Sequence, residues 1–310
     1  MGVRGLDRLL HQKKQFREID WPTHAGKRWA IDILCLMYRA RRSGLSCLTV
    51  VAGLVVRLRR AGIEPIMIFD GRPPAAKSEV LERRRELRAT VEKEMAAVAA
   101  EPTPVTVAER DARDARVAAL QARAPVIARS DRDELKQLLY AAGVLFVSAS
   151  GEADDLLGWL ARTGQVAAVV STDMDMLARG VPQLVVPSTD DATVLTSVEL
   201  SGVLETLRLN YRQFVDACML MGADYSSGRR YEPLVAVETA RRGVWDVSGA
   251  AFDIGATLLR GDGMTWERLL SESQRHKWAA GAPAREPTVL VEFAEREGWP
   301  PEWIRVGLLG

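Results

Sequence analysis

Seven acidic residues stand where an apolar run ends or where the next amphipathic segment begins: Asp32, Asp70, Glu152, Asp154, Asp173, Asp175 and Asp224. Like charges gathered in one place raise each other's pKa and resist ionisation, so a fold rarely aims many carboxylates at one point. Divalent cations resolve that conflict. Carboxylate oxygen is the hard donor that Mg²⁺ and Mn²⁺ favour, and Mg²⁺ usually keeps several waters. Such a set suits two ions about 3.5–4 Å apart, which clamp the attacking and leaving oxygens of a phosphodiester. One ion lowers the pKa of a bound water, and the pair neutralises charge building on the phosphate. If the seven converge, the chemistry is metal-dependent phosphoryl transfer, as in a nuclease. Each acid taken singly is more often a helix cap or a surface residue. Their recurrence at four strand ends carries the reading.

Other residues bear on the same chemistry. Phe69-Asp70-Gly71-Arg72-Pro73-Pro74 leads to Lys77, and Arg83-Arg84-Arg85 follows. Lys77 and Arg84 are seven residues apart, two turns along one helical face. They could draw a scissile phosphate onto the ions, because cations stabilise developing phosphoryl charge. A solvated basic helix with Glu79, Glu82 and Glu86 as pairing partners accounts for the spacing equally well. Tyr38, six residues after Asp32, is placed to stack on a base, although a single tyrosine is more often part of a core. His11, His24 and His276 have no metal-ligand spacing, no cysteine–histidine pattern exists, and no G-x-x-x-x-G-K-[ST] loop argues for an NTPase.

These residues need elements to hold them. Arg28 to Leu34 reads as a buried strand ending near Asp32, and Pro65 to Gly71 as a second strand. Val144–Val147, Val166–Ser171 and Gln183–Val186 read as three more. Helical periodicity covers Leu48–Arg60, Ser78–Ala100, Asp131–Ala142 (closed by Gly143), Glu152–Ala161 and Asn210–Met221. Residues 101–126, with Pro102, Pro104 and Pro125, read as a flexible or capping insertion. The last third reads as helical but weakly patterned. Alternating strands and helices imply a parallel sheet, whose ligands bind beyond the carboxyl ends of its strands.

The 310 residues suffice for one large α/β domain or two smaller ones, and 47% apolar content is ample for a core. No run of about 18 apolar residues spans a membrane, and the N-terminus lacks the apolar core of a signal peptide. Cys35, Cys47 and Cys218 read as reduced core thiols of an intracellular protein. Net charge is +1, but residues 1–100 carry 20 Lys and Arg against 11 Asp and Glu, leaving the rest at −8. A basic N-terminal third is a footprint for a polyanion, with solvated helix faces as the alternative.

Taken together, the motifs resemble the flap endonucleases, within the structure-specific 5′ nucleases. The matching stretches are Met1-Gly2-Val3-Arg4-Gly5-Leu6, Ala30-Ile31-Asp32 through Tyr38, Phe69 to Ser78, Gly151-Glu152-Ala153-Asp154, Thr172-Asp173-Met174-Asp175, and Phe214-Val215-Asp216 to Gly222-Ala223-Asp224-Tyr225. Glu286-Pro287 to Gly307 resembles the last helices more weakly. The resemblance implies an α/β fold: a central, mostly parallel sheet flanked by helices, a helical arch over the active site, and a helical C-terminal region. It implies one nuclease domain over 1–310. Within it, 1–100 forms the N-terminal nuclease region, 78–130 the arch, 131–228 the internal region, and 229–310 a helical DNA-binding region.

The resemblance further implies a substrate of branched DNA with a 5′ flap, threaded under the arch and cut near the junction, with 5′ exonuclease activity besides. Asp32, Asp70 and Glu152 would hold one Mg²⁺ and Asp173 and Asp175 the other. Asp154, where the family often has Glu, would bridge or bind through water, and Asp224 would act through water. Mn²⁺ substitutes for Mg²⁺ in such sites. Lys77 and Arg84 match the catalytic basic pair. Gly2, Tyr38, Arg72, Arg83, Arg85, Arg229 and Arg230 would contact DNA. Two departures stand out. The family's glycine-rich hairpin is replaced by Arg230-Tyr231-Glu232-Pro233, which argues against K⁺ dependence because non-glycine residues resist the required backbone. The clamp-binding peptide of many cellular relatives is not found. A compact, divergent member is expected, viral for instance. It would be monomeric, intracellular, and placed at sites of DNA replication and repair in a nucleus or a viral replication compartment. The alternatives are a catalytically silent junction-binding protein, or a nuclease that prefers gaps, bubbles, four-way junctions or RNA ends.

Overall fold

The computed structural model describes residues 2–71, 78–149, 151–188, 194–223, 230–243 and 286–309. Its strands are β1 (Arg17–Glu18), β2 (Arg28–Asp32), β3 (Glu64–Phe69), β4 (Leu145–Ser148), β5 (Ala168–Val170), β6 (Gln183–Pro187) and β7 (Leu195–Glu199). Its helices are α1 (Leu6–Gln12), α2 (Ile33–Arg42), α3 (Cys47–Arg60), α4 (Ser78–Ala99), α5 (Val107–Arg123), α6 (Arg129–Ala141), α7 (Ala153–Arg162), α8 (Asp175–Ala178), α9 (Leu200–Leu207), α10 (Tyr211–Met221), α11 (Pro233–Arg242) and α12 (Pro287–Glu297). A π-helical turn, Trp303–Leu308, follows.

These strands form one sheet in the order β1-β7-β6-β5-β2-β3-β4. β6, β5, β2, β3 and β4 run parallel, while β7 is antiparallel to both of its neighbours. The chain moves outward from β2 through β3 to β4, then returns to the other side of β2 for β5 and β6. That reversal opens a crevice beyond the ends of β2 and β5, the ordinary ligand position in an open α/β sheet.

Both faces of the sheet are buried, and its side chains alternate between two cores. Trp29, Ile31, Met67, Phe69, Ala168 and Val170 face a core shared with α2, α3, α6 and α12. Ala30, Ile66, Ile68 and Val169 face a second core shared with α1, α7, α10 and α11. By the same period of two, Asp32 and Asp70 fall on the side of α7. The C-terminal elements close over α3. Glu297 accepts hydrogen bonds from Ser46 and from Thr49 (3.1 Å), the Trp299 indole N–H donates to Thr49 Oγ1 at 2.9 Å, and Arg59 Nη1 donates to the Leu308 carbonyl at 2.6 Å.

The expected strands and helices are present with ends shifted by one or two residues, and Gly143 takes φ +62° after α6. Of the two readings of residues 101–126, a flexible or a capping insertion, the flexible one is corrected: a 17-residue helix, α5, fills most of them, in keeping with the helical arch that the resemblance implies over 78–130. It is rich in Ala and Arg, strong helix formers, and none of its residues is buried. Its start is a capping box: Thr106 Oγ1 accepts from Glu109 N at 3.2 Å, and Glu109 accepts from Thr106 N at 3.0 Å. α5 packs against α4 and α2. Arg116 pairs with Glu101, Arg123 with Glu94, and Arg113 donates to the Ala99 carbonyl at 3.1 Å. β7, antiparallel between β6 and the short edge strand β1, is not among the expected strands.

Because exposed ion pairs contribute little, α5 depends strongly on its cap. Thr106→Ala should cost the helix about 1 kcal/mol. Amide hydrogen exchange should accelerate about 5-fold across α5 while the amides of β2 stay as protected as before. Equal acceleration in both would show that α5 opens only with the whole fold.

Candidate functional site

Asp32 closes β2 and caps α2. Its Oδ1 accepts from Cys35 N at 3.1 Å and its Oδ2 from the Ser171 hydroxyl at 3.0 Å. Ser171, fully buried at the end of β5, also accepts from Asp173 N at 3.1 Å through the same oxygen. Asp173 Oδ1 in turn accepts from Asp175 N at 3.2 Å. A continuous chain of hydrogen bonds therefore joins the acids of the two switch-point strands. Asp173 and Asp175 are held by this turn, with Asp175 already the first residue of α8. Gly2 lies against the turn with φ +93°, and a Cβ there would stand 1.7 Å from Asp173 Oδ1.

The other acids arrive from β3 and α7. Gly71 N donates to the Gly151 carbonyl at 2.8 Å, and Ala149 N to the Phe69 carbonyl at 2.9 Å, which extends the β3–β4 pairing past the strand ends. Asp70 Oδ1 then accepts from Ala153 N at 2.6 Å. This places Asp70 on the positive end of α7. Glu152 is the N-cap residue of that helix, with Asp154 and Asp155 in its first turn.

Burial is the main electrostatic fact of the site. It pushes the Asp32 carboxyl up to about 7, with the charges of Asp70 and Asp173 adding and the Cys35 N–H and Ser171 hydroxyl opposing. Burial likewise holds Asp175 well above the carboxylate range, with Asp173 and Asp154 adding and Arg179 opposing. Asp175 Oδ1 is buried with no hydrogen-bond partner. Cys35 is not the core thiol expected: half-buried beside Asp32, its sulfur accepts from Thr172 N at 3.0 Å, and burial pushes the thiol up to about 12. It is no candidate nucleophile or thiolate ligand. Cys47 and Cys218 are buried free thiols.

Three residues missing from the sequence reading belong here: Ser171, Asp155 and Arg179. The Arg179 guanidinium, 3% exposed, pairs with Asp155 and reaches Asp175, Asp154 and Glu152 at 3.7, 3.8 and 4.0 Å. Its spacing of four from Asp175 was the available signal.

The donor set can be tested against a hard divalent cation. The acids supply oxygen alone, they crowd one another, and one buried oxygen of Asp175 lacks any partner. This chemistry fits such an ion. As the side chains stand, no group of three or more His, Cys, Asp or Glu among the described residues is placed to hold one.

Asp224, Lys77, Arg72 and Arg229 lie outside the described residues, as does the side chain of Arg84 on α4. Arg83 and Arg85 are exposed on α4, and Arg85 pairs with Glu82 at 3.4 Å. Tyr38 is half-buried on α2 against the first core. Arg230 is exposed, with its side chain over Gly222. Glu232 and Pro233 begin α11. No described helix is long and apolar enough to cross a membrane.

A carboxyl whose pKa is higher in the fold than in the unfolded chain binds its proton more tightly when folded, so ionising it costs stability. The contribution of Asp32 is present below its unfolded value and is lost as pH rises through about 7. In metal-free buffer, Asp32→Asn should flatten the fall in Tm between about pH 4 and pH 7. An unchanged slope would contradict the assignment of that charge to Asp32.

Comparison with known proteins places this geometry. The profile of the XPG N-terminal domain matches residues 1–91, and that of the XPG I-region matches residues 143–224. Flap endonuclease 1 of Glycine max is 32% identical over 251 residues, covering 74% of this chain and 63% of that relative. Flap endonuclease 1 of Homo sapiens is 31% identical over 249 residues, with the same coverage. The matched stretch thus spans somewhat under two thirds of these relatives. Among solved structures, the flap endonuclease-1 of Methanococcus jannaschii superposes with a TM-score of 0.58 at 22% identity, covering 94% of each chain. The catalytic core of Rad2 in complex with a DNA substrate gives 0.62 at 15% identity, covering 99% of this chain and 100% of that one. The two profiles fall on the segments that carry the linked acids, and the chain belongs to the flap endonuclease family of structure-specific 5′ nucleases.

Proposed function

We propose that this protein is a divalent-metal-dependent 5′ nuclease that cuts branched DNA at 5′-flap junctions. The observation that carries the reading is the chain of hydrogen bonds from Asp32 through Ser171 to Asp173 and Asp175, together with Asp70 bonded to the N-terminus of α7, at the switch point of the sheet. Asp32, Asp70 and Glu152 would hold one ion and Asp173 and Asp175 another, with Asp154 and Asp224 acting through water. When bound, Mg²⁺ or Mn²⁺ supplies water activation and neutralises charge on the phosphate. The protein's own part is positioning. Ser171 and the Cys35 N–H aim Asp32. Asp70 is aimed by the α7 N-terminus, and Gly2 leaves room for Asp173.

Lys77 and Arg84 would draw the scissile phosphate toward the acids as α4 and α5 arch over the 5′ strand. Tyr38 would stack on the adjacent base. Gly2, Arg72, Arg83, Arg85, Arg229 and Arg230 would contact the DNA backbone. We place the activity, with 5′ exonuclease action beside it, in intracellular DNA replication and repair, carried out by a monomer of one nuclease domain. Preference for gaps, bubbles, four-way junctions or RNA ends is a second reading. It is favoured by the entry of Glu232-Pro233 directly into α11 where the family has a glycine hairpin, a change that also argues against a K⁺-assisted duplex contact. A silent junction binder would bind DNA without turnover.

With Mg²⁺ present, a 5′-flap oligonucleotide should be cut faster than gapped, bubbled or four-way substrates, and Asp175→Asn should lower the rate by more than about 100-fold, beyond the cost of losing a supporting contact. Unchanged cleavage by that variant would rule the reading out. Lys77→Ala should lower kcat with KM nearly unchanged, as for a contact made mainly in the transition state. A rise in KM at normal kcat would assign Lys77 to DNA binding instead.

A further inference from the structure

The buried guanidinium of Arg179 plays no part in the reading above, yet four carboxylates surround it. Only its bond to Asp155 has hydrogen-bond length. Asp175 Oδ2 at 3.7 Å, Asp154 Oδ2 at 3.8 Å and Glu152 Oε2 at 4.0 Å feel its charge without being tied to it. Asp155 is the outermost of the four, with its side chain 44% exposed against 9–17% for the others. It therefore serves as the anchor, while the charge acts on three acids of the site. The backbone beneath is clamped. Arg162 Nη1 donates to the Arg179 carbonyl at 2.5 Å, and the Tyr211 hydroxyl donates to the Ala178 carbonyl at 2.7 Å. At 3% exposure, the guanidinium is fixed inside the protein behind the acids.

We propose that Arg179 is a resident counter-cation that sets the divalent-ion affinity of the site, steadying the metal-free carboxylates and weakening their hold on Mg²⁺ or Mn²⁺. This rests on the reading of the acids as a divalent-ion site. Coulomb attraction from Arg179 is at its strongest when the three acids are bare and falls when their charge is shared with a dication. The guanidinium and the dication also repel each other across a short, poorly screened distance. Arg179 therefore favours the metal-free state more than the loaded one, which by linkage weakens metal binding. Removing one partner of a buried pair is costly. Asp155 avoids that cost, because it stays with Arg179 when the other three turn to the ions.

The test uses the full chain with Mn²⁺ alone as the probe, free ion being read by electron paramagnetic resonance and folding by circular dichroism. Arg179→Gln keeps donors for Asp155 and removes the charge, whereas Arg179→Lys keeps the charge. The Gln variant should bind Mn²⁺ at least about 5-fold more tightly than the native chain and gain more Tm on saturation, while the Lys variant stays within about twofold of native. A Gln variant that binds equally or more weakly, that moves together with the Lys variant, or that stays unfolded in Mn²⁺ overturns the proposal. A native chain that takes up no Mn²⁺ overturns the divalent-ion reading itself, and this role of Arg179 with it.

Discussion

Crowding of carboxylates in a buried crevice is the constraint from which the rest of the site follows. Asp32, Glu152 and Asp175 are each less than one tenth exposed, and an ionised carboxylate out of water is tolerated only with partners. The fold supplies them from its backbone and from two buried side chains: N–H groups of Cys35, Ala153 and Asp175, the Ser171 hydroxyl, and the Arg179 guanidinium. Even so, Asp32 is pushed up to about 7 and one oxygen of Asp175 has no partner. The remaining imbalance is of the sign that a cation relieves.

Sheet topology explains why these acids meet. β2 is central, with β3 on one side and β5 on the other, so the residues after three neighbouring parallel strands share one edge. Period two then turns Asp32 and Asp70 toward the face that carries α7. The N-terminus of α7 faces that edge and delivers Glu152 and Asp154 along with its positive end. The approach of Gly2 to Asp173 leaves no space for a side chain.

Much of this was legible in the sequence because β2 and β3 are marked twice at their ends, by the close of an apolar run and by Asp32 or Asp70. β4, β5 and β6 were legible from their apolar runs. Strand β7 was not, since Leu195–Glu199 is short and runs antiparallel between β6 and β1, outside the parallel pattern. Helix α5 was legible only through the helical arch that the resemblance implies over 78–130, since none of its residues is buried. Ser171 and Arg179 were missed for another reason. Their roles come from tertiary contacts across long sequence separations, Ser171 with Asp32 and Arg179 with Glu152 and Asp155. Spacing reports neighbours on one element, and only the Asp175–Arg179 pair has such a spacing.

The central claim is that side chains from Asp32 to Asp175 form one divalent-ion site at the crevice between β2 and β5. Anomalous diffraction from a crystal soaked in Mn²⁺ tests it most directly. Two peaks about 3.5–4 Å apart, one bounded by Asp32, Asp70 and Glu152 and the other by Asp173 and Asp175, are the predicted result. A crevice without anomalous signal, at Mn²⁺ concentrations that support DNA cleavage, would contradict it.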